Sequence, residues 1–310
     1  FSLALPTITS QIVNMLYNLV DRVYIGHMQP ADTVGKLALT GVGVCLPVIM
    51  IISAFAALMA MGGAPRASIQ EGKGNAAESE RIMGNCLTLL VLTSLVLTVL
   101  FQLFAEPLLL TFGASPNTIG YALNYMRIYS LGTMFVQLTL GMNAYITAQG
   151  FTTVSMRTVL IGAILNTILD PIFIFGFGLG VRGAALATIL SQAVSAAWVL
   201  RFLTGRKTKW RLRKENLRPR AAVVLPCLAL GLSPFIMQST ESLIAMCFNS
   251  SLLKYGDDIA VGAMTVLTSI MQFAMMPLQG LTQGAQPIIS YNYGAKNVQR
   301  VRAAFRVLLR

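Results

Sequence analysis

Eight apolar segments, at about 1–26, 36–61, 82–105, 120–147, 156–176, 183–203, 221–253 and 260–283, punctuate the chain. Most reach the roughly 20 residues that a helix needs to cross a bilayer. In hydrocarbon every backbone N–H and C=O must find its partner inside the segment, so segments of this length read as helices. Alternating barrel strands of about ten residues are absent. The connections are short and carry Gly, Pro, Asn or charge, as in "HMQPADTVGK", "GFGLGVRG" and "KYGDD". Composition points the same way: 55% hydrophobic residues, 11% charged residues and a mean hydropathy of +0.69 exceed what a soluble core requires. The fold class is therefore all-α, a polytopic transmembrane bundle with the lipid bilayer as its solvent.

The net charge of +12 does not point to nucleic acid, because its distribution alternates with the segments. One side holds Arg66, Lys73, Arg81, Arg157, nine basic residues from Arg201 to Arg220 and five from Lys296 to Arg310, which is 18 of the 23 Lys and Arg. The other side has Arg22, Lys36, Arg127, Arg182 and Lys254. The positive-inside rule places the richer side in the cytoplasm, the chain being multi-pass in the cell membrane. The stretch "RFLTGRKTKWRLRKENLRPR" reads as an orienting cytoplasmic linker, with anionic lipid or a regulator as its less favoured partners.

Enzyme chemistry finds no foothold. Cys45, Cys86, Cys227 and Cys247 are scattered without C-x-x-C spacing and read as small hydrophobes. His27, the single histidine, cannot build a metal site alone. No nucleophile triad or phosphate-cradling loop is visible. The chain opens on Phe1 and closes on "FRVLLR", where a ninth helix begins, so it reads as a fragment.

The loop "GGAPRASIQEGKGNAAE" after the second segment matches "GAQPIISYNYGAKNVQR" after the eighth: Gly62 with Gly284, Pro65 with Pro287, Ser68 with Ser290, Gly72 with Gly294, Asn75 with Asn297. The first and seventh segments share a proline followed fifteen residues later by a polar group, Pro6 with Asp21 and Pro234 with Asn249. The expected organisation is a six-helix lobe over 1–203, a basic linker over 204–220, and the start of a second lobe over 221–310. Parallel repeats around a cavity are a recurrent transporter plan.

In the first segment Thr7, Ser10, Gln11, Asn14, Tyr17, Asn18 and Asp21 fall within about a third of the helix circumference. Facing lipid they would lack partners, so the stripe is expected to look into the bundle or a watery cavity. In the fifth segment Asn166 and Asp170 stack one turn apart, and Pro171 removes a backbone donor beside them. Asp21 and Asp170, with Asn166, Tyr17 and Asn143, offer oxygens to a hard monovalent cation and can equally share a proton. The seventh segment adds Gln238, Glu241 and Ser242, making Glu241 a third intramembrane acid, and the eighth adds Thr265, Thr268 and Gln272 among Met271, Met275 and Met276. Flexible methionines suit a cavity that accepts many shapes, and they also fill ordinary cores.

These residues together resemble a family. "LPTITSQIVNMLYNLVDRVYIG", "APRASIQEGKGN", "AQPIISYNYGAKN", "NTILDP" and "GLSPFIMQSTES" are similar to segments of the multidrug and toxic compound extrusion (MATE) transporters of prokaryotic type, and the likeness runs along essentially the whole chain. The resemblance implies twelve helices in two lobes around a V-shaped cavity, of which this sequence would lack about four. It implies a cation or proton site at Asp21, Asn166 and Asp170, cavity positions at Tyr17, Asn143 and Thr188, and a bending proline at Pro6. Glu241 matches the acid of a second-lobe site whose partner lies on a helix outside this sequence. The expected function is antiport of amphiphilic or cationic drugs and toxic organic cations against H+ or Na+, by a monomer without other cofactor. Asn14, Asn18, Gln238, Gln272 and Met276 complete the expected cavity, and Pro171 the expected hinges. A lipid-linked oligosaccharide flippase of the same superfamily is the alternative, although its pyrophosphate cargo calls for cationic groups where these stripes are neutral or acidic.

Overall fold

The computed structural model describes residues 3–28, 31–255 and 257–309, without the side chains of 31, 32, 245, 246, 249 and 250 and most of those at 252–274. Helix α1 spans Ala4–Gly26. A π-helical turn, Ala31–Gly35, leads into α2, Lys36–Val44, and then α3, Leu46–Gly72, whose break at Cys45 is followed by Pro47 in the first turn. Proline is tolerated there because first-turn N–H groups have no partner inside the helix. Helix α4, Ala76–Thr111, bends at Phe104 (φ −112°, ψ 16°), three residues before Pro107, where the ring disrupts the preceding turn. Helices α5, Ile119–Leu131, and α6, Thr133–Ala148, are parted at Gly132.

Helix α7, Thr152–Pro171, passes into a π-helical turn, Ile172–Gly176, so Pro171 alters the hydrogen-bond ladder beside Asp170 as its missing N–H requires. Helix α8 spans Val181–Thr204, α9 Ala221–Tyr255, α10 Asp257–Gly294 and α11 Val298–Leu308. The eight apolar segments thus correspond to α1, α2 with α3, α4, α5 with α6, α7, α8, α9 and α10.

Among the described residues five stretches are long and apolar enough to cross a membrane: Thr33–Gly72, Ala76–Thr111, Thr152–Gly176, Val181–Thr204 and Ala221–Ile244. The chain is a multi-pass membrane protein. Helix α1 falls outside this group because its polar stripe dilutes its hydropathy, and α5 and α6 because the break at Gly132 leaves each short.

Helix α3 lies along α9, and α1 lies along α10. The matched loops adopt one backbone shape at a constant offset of 222 residues. Asn75 Oδ1 accepts from Glu78 N–H at 3.2 Å to start α4, and Asn297 Oδ1 accepts from Arg300 N–H at 3.1 Å to start α11. Gly74 (φ 81°) and Lys296 (φ 56°) hold the same left-handed position. Gly72 and Gly294 meet across the two repeats: a Cβ on Gly72 would strike the carbonyl of Tyr291, and one on Gly294 that of Ile69. Tyr291 is Ile69 moved by the same offset, so the contact is reciprocal.

The basic linker is more than a solvated connection. Gln149 Oε1 accepts from Thr208 Oγ1, Lys209 N and Trp210 N at 2.7, 2.8 and 3.0 Å, and Trp210 is fully buried. Asn85 donates to Asn216 O at 3.0 Å and accepts from Arg220 N at 2.6 Å. Glu80 takes Arg211 N–H at 2.9 Å and the Arg213 guanidinium at 3.2 Å, while Lys209 lies 3.8 Å from Glu71. The segment is a strap pinned across the ends of α3, α4 and α6. Its backbone groups, which would otherwise need water, are the ones satisfied.

Candidate functional site

Helices α1 and α7 pack side by side, and that pairing assembles the site. Asp170 is fully buried and Asn166 is 2% exposed, one turn before it on the inward face of α7. Asn166 Nδ2 donates to Asp170 Oδ1 at 3.1 Å and reaches Thr188 Oγ1 on α8 at 3.5 Å. The Asp21 carboxyl of α1 lies within hydrogen-bonding reach of Asp170. Two carboxyls in contact inside a bundle call for a shared proton or a bridging cation.

Three atoms define what such a site can hold. Asp21 Oδ1, Asn166 Oδ1 and Asp170 Oδ2 are buried and find no hydrogen-bond partner in the protein. All three are acceptors, and the amide nitrogen of Asn166 is already engaged, so the cluster is built to receive a donor or a hard cation. Tyr17 stands one turn before Asp21. It also lines a crevice of about 280 Å³, whose walls are Val13, Leu16 and Val20 of α1 against Ile164 and Ile168 of α7. An apolar slot thus borders an acidic, oxygen-rich pocket.

The other expected residues divide. Asn143 is half-buried on α6, its Nδ2 donating to Ser155 O at 3.4 Å while its Oδ1 has no partner. Asn14 is half-buried and accepts through its backbone carbonyl from Asn18 Nδ2 at 2.7 Å; Asn18 itself is exposed, so it folds back on α1 and away from the bundle interior. Thr7 Oγ1 donates to Gly280 O at 2.6 Å and Gln11 Nε2 to Gln283 Oε1 at 3.1 Å, so this part of the stripe joins α1 to α10.

Glu241, expected to be buried, is exposed on α9, because the described helices packed against α9 meet its other faces; Gln238 and Met276 are half-buried. None of these three joins the Asp21 cluster. The side chains of Gln272, Thr265, Thr268 and Asn249 lie outside the described residues. Pro6 falls within the first turn of α1, where a proline leaves the helix straight. Cys45, Cys86 and Cys227 are buried as expected of small hydrophobes, and Cys247 is exposed.

Sequence reasoning missed Gln192, whose buried Oε1 is also without a partner, and the anchors of the strap, Gln149 and Trp210. Gln192 was findable, since it stands four residues after Thr188 on one face of α8.

Comparison with known proteins agrees with this geometry. The chain is 25% identical over 306 residues to the multidrug export protein MepA of Staphylococcus haemolyticus (strain JCSC1435), covering 99% of this chain and 66% of that protein. The MepA of Staphylococcus aureus (strain NCTC 8325 / PS 47) is 24% identical over the same coverage. The chain therefore spans 66% of the length of these curated relatives. Among solved structures, the MATE multidrug transporter DinF-BH, determined with a bound drug, superposes with a TM-score of 0.91 at 35% identity over 99% of this chain and 68% of its own. A MOP superfamily transporter from Pyrococcus furiosus Vc1 (DSM3638), described with a binding pocket of reverse polarity that suggests a different function, superposes with a TM-score of 0.90 at 26% identity over 99% and 67%. The MatE family model matches residues 6–172 and 234–310, which include α1, α7 and both copies of the repeated turn, and the chain belongs to the MatE family.

Proposed function

We infer that the protein works as a secondary active multidrug transporter, exporting amphiphilic or cationic compounds in exchange for H+ or Na+ by alternating access. The observation that carries this reading is the cluster of unpartnered acceptor oxygens on Asp21, Asn166 and Asp170 beside an apolar crevice. Cargo of this kind has a hydrophobic body for the crevice and a positive charge for the acids. The drug-export relatives and the drug-bound structural neighbour support small-molecule cargo.

Ion and drug must bind with different affinities in the inward-open and outward-open states, otherwise nothing is pumped. Competition for the same carboxyls supplies that difference: H+ or Na+ entering from outside occupies the cluster and favours release of the drug. The matching turns at Asn75 and Asn297 support a division into a lobe at 1–203, a linker at 204–220 and a second lobe from 221. The charge bias supports a multi-pass monomer in the cell membrane with the strap in the cytoplasm. An oligosaccharide-lipid flippase is disfavoured, because the pocket offers acids to a pyrophosphate.

The test is efflux of a fluorescent cationic dye from liposomes carrying the full-length protein, with a Na+ gradient or a pH gradient imposed separately. Dye movement driven by one gradient and lost in Asp170→Asn is expected. Gradient-driven efflux at the native rate in that variant would overturn the assignment.

A further inference from the structure

Beyond the acid pair, α7 continues as a polar face. Ser155, Thr158, Gly162, Asn166 and Asp170 recur at three- and four-residue spacing, and all are buried. From Asp170 back to Ser155 this face runs about 22 Å toward the turn that joins α6 to α7. Two neighbouring helices answer it. On α8, Ser195 Oγ donates to Thr158 O at 3.3 Å, and Thr188 meets Asn166 as described. On α6, Thr139 Oγ1 donates to Gln192 O of α8 at 3.2 Å, and Thr147 Oγ1 donates to Ser155 Oγ at 2.9 Å. Gly162 leaves room between these contacts, for a Cβ there would come to 2.8 Å of Ser195 Oγ.

Helix adhesion alone does not account for the free atoms along this face. Asn143 Oδ1 and Gln192 Oε1 are buried without partners, as are the oxygens of Asp21, Asn166 and Asp170. By contrast, the unpartnered buried nitrogens among the described residues belong to Arg66, Gln149 and Trp210, on α3, at the end of α6 and on the strap. In Asn143 and Asn166 the amide nitrogen is held by the protein, which leaves the carbonyl oxygen free. An interior whose free atoms are all acceptors suits a species that only donates or that is itself positive.

We propose that the carbonyl oxygens of Asn143 and Gln192 form a second, uncharged resting place for the coupling cation, between the acid pair and the side of the membrane that carries the basic strap. The proposal rests on the antiport reading above and adds the route by which the ion leaves. Na+ with its water and hydronium share the chemistry that these oxygens recognise. Neutral carbonyls hold such a cation weakly, which suits a station that must release it again. Thr139 positions Gln192, and Ser155 positions Asn143.

The experiment compares the native full-length protein with Gln192→Met, Asn143→Leu, Gln192→Glu and Asp170→Asn in liposomes. It follows dye efflux and coupled uptake of radioactive Na+ or of protons, together with dye binding in detergent. Gln192→Met and Asn143→Leu are expected to slow efflux and cation uptake together by about tenfold, with dye affinity unchanged. Gln192→Glu, which keeps an acceptor, is expected to retain transport. The gradient that drives the native protein says whether the cation is Na+ or H+. Native rates in both oxygen-free variants would overturn the proposal, and so would dye binding lost in step with transport, since that marks a packing role. Failure of the antiport reading shows separately, as native efflux that neither gradient drives.

Discussion

At residues 70–75 and 292–297 the chain makes one turn twice. Asn75 N–H reaches Gln70 O at 2.9 Å in the first, and Asn297 N–H reaches Asn292 O at 2.9 Å in the second. The surroundings differ. The first turn is roofed by the strap, with Lys209 beside Glu71 and Trp210 buried nearby, whereas around the second Tyr291, Tyr293 and Lys296 are exposed. Backbone shape follows the local pattern of glycine and asparagine, while side-chain environment follows what the rest of the chain lays over it. The left-handed position shows the division best, being glycine in one copy and lysine in the other.

The strongest way to separate the two turns is to remove the roof. Trp210→Ala deletes a fully buried indole and is expected to cost about 3–5 kcal/mol, read as a fall in thermal unfolding temperature in detergent. A loss below about 1 kcal/mol would mean that the strap is not a structural part of the first turn. Next come Gly72→Val and Gly294→Val, each driving a side chain into the opposite carbonyl at an expected cost of about 1–3 kcal/mol. Equal losses would bear out the reciprocal contact; tolerance of one and not the other would break it. Asn75→Ala and Asn297→Ala should each cost about 1 kcal/mol by removing a helix cap, and a silent Asn297→Ala would show that α11 starts without help. Smallest of all, Lys296→Gly should stabilise by up to about 1 kcal/mol because it relieves a left-handed residue, and Gly74→Lys should do the reverse. The same unfolding assay ranks both.

Much of this was legible before any coordinates. Apolar length gave the helices, and the matched loops gave the turns, because caps and left-handed positions are local properties of short motifs. Asn166 and Asp170 were legible as a pair for the same reason, one helical turn apart with a proline next door. What Asp21 faces was not a local matter, and only the packing of α1 on α7 places the two acids together. Asn18 and Glu241 went astray because a polar arc tells which residues share a face, not which neighbour covers it. The strap escaped notice because its charge reads as solvated linker, while its attachment runs through backbone groups and one glutamine that no charge count registers.

The buried Trp210 has a spectroscopic consequence. The chain has two tryptophans, and the other, Trp198 on α8, is 37% exposed. With Trp198 changed to Phe, the intrinsic fluorescence of the protein comes from the strap alone. A docked strap would emit at short wavelength and resist aqueous quenchers, and a released one would shift to the red. The molecule thus carries its own optical gauge of whether the strap stays seated while ions and cargo exchange.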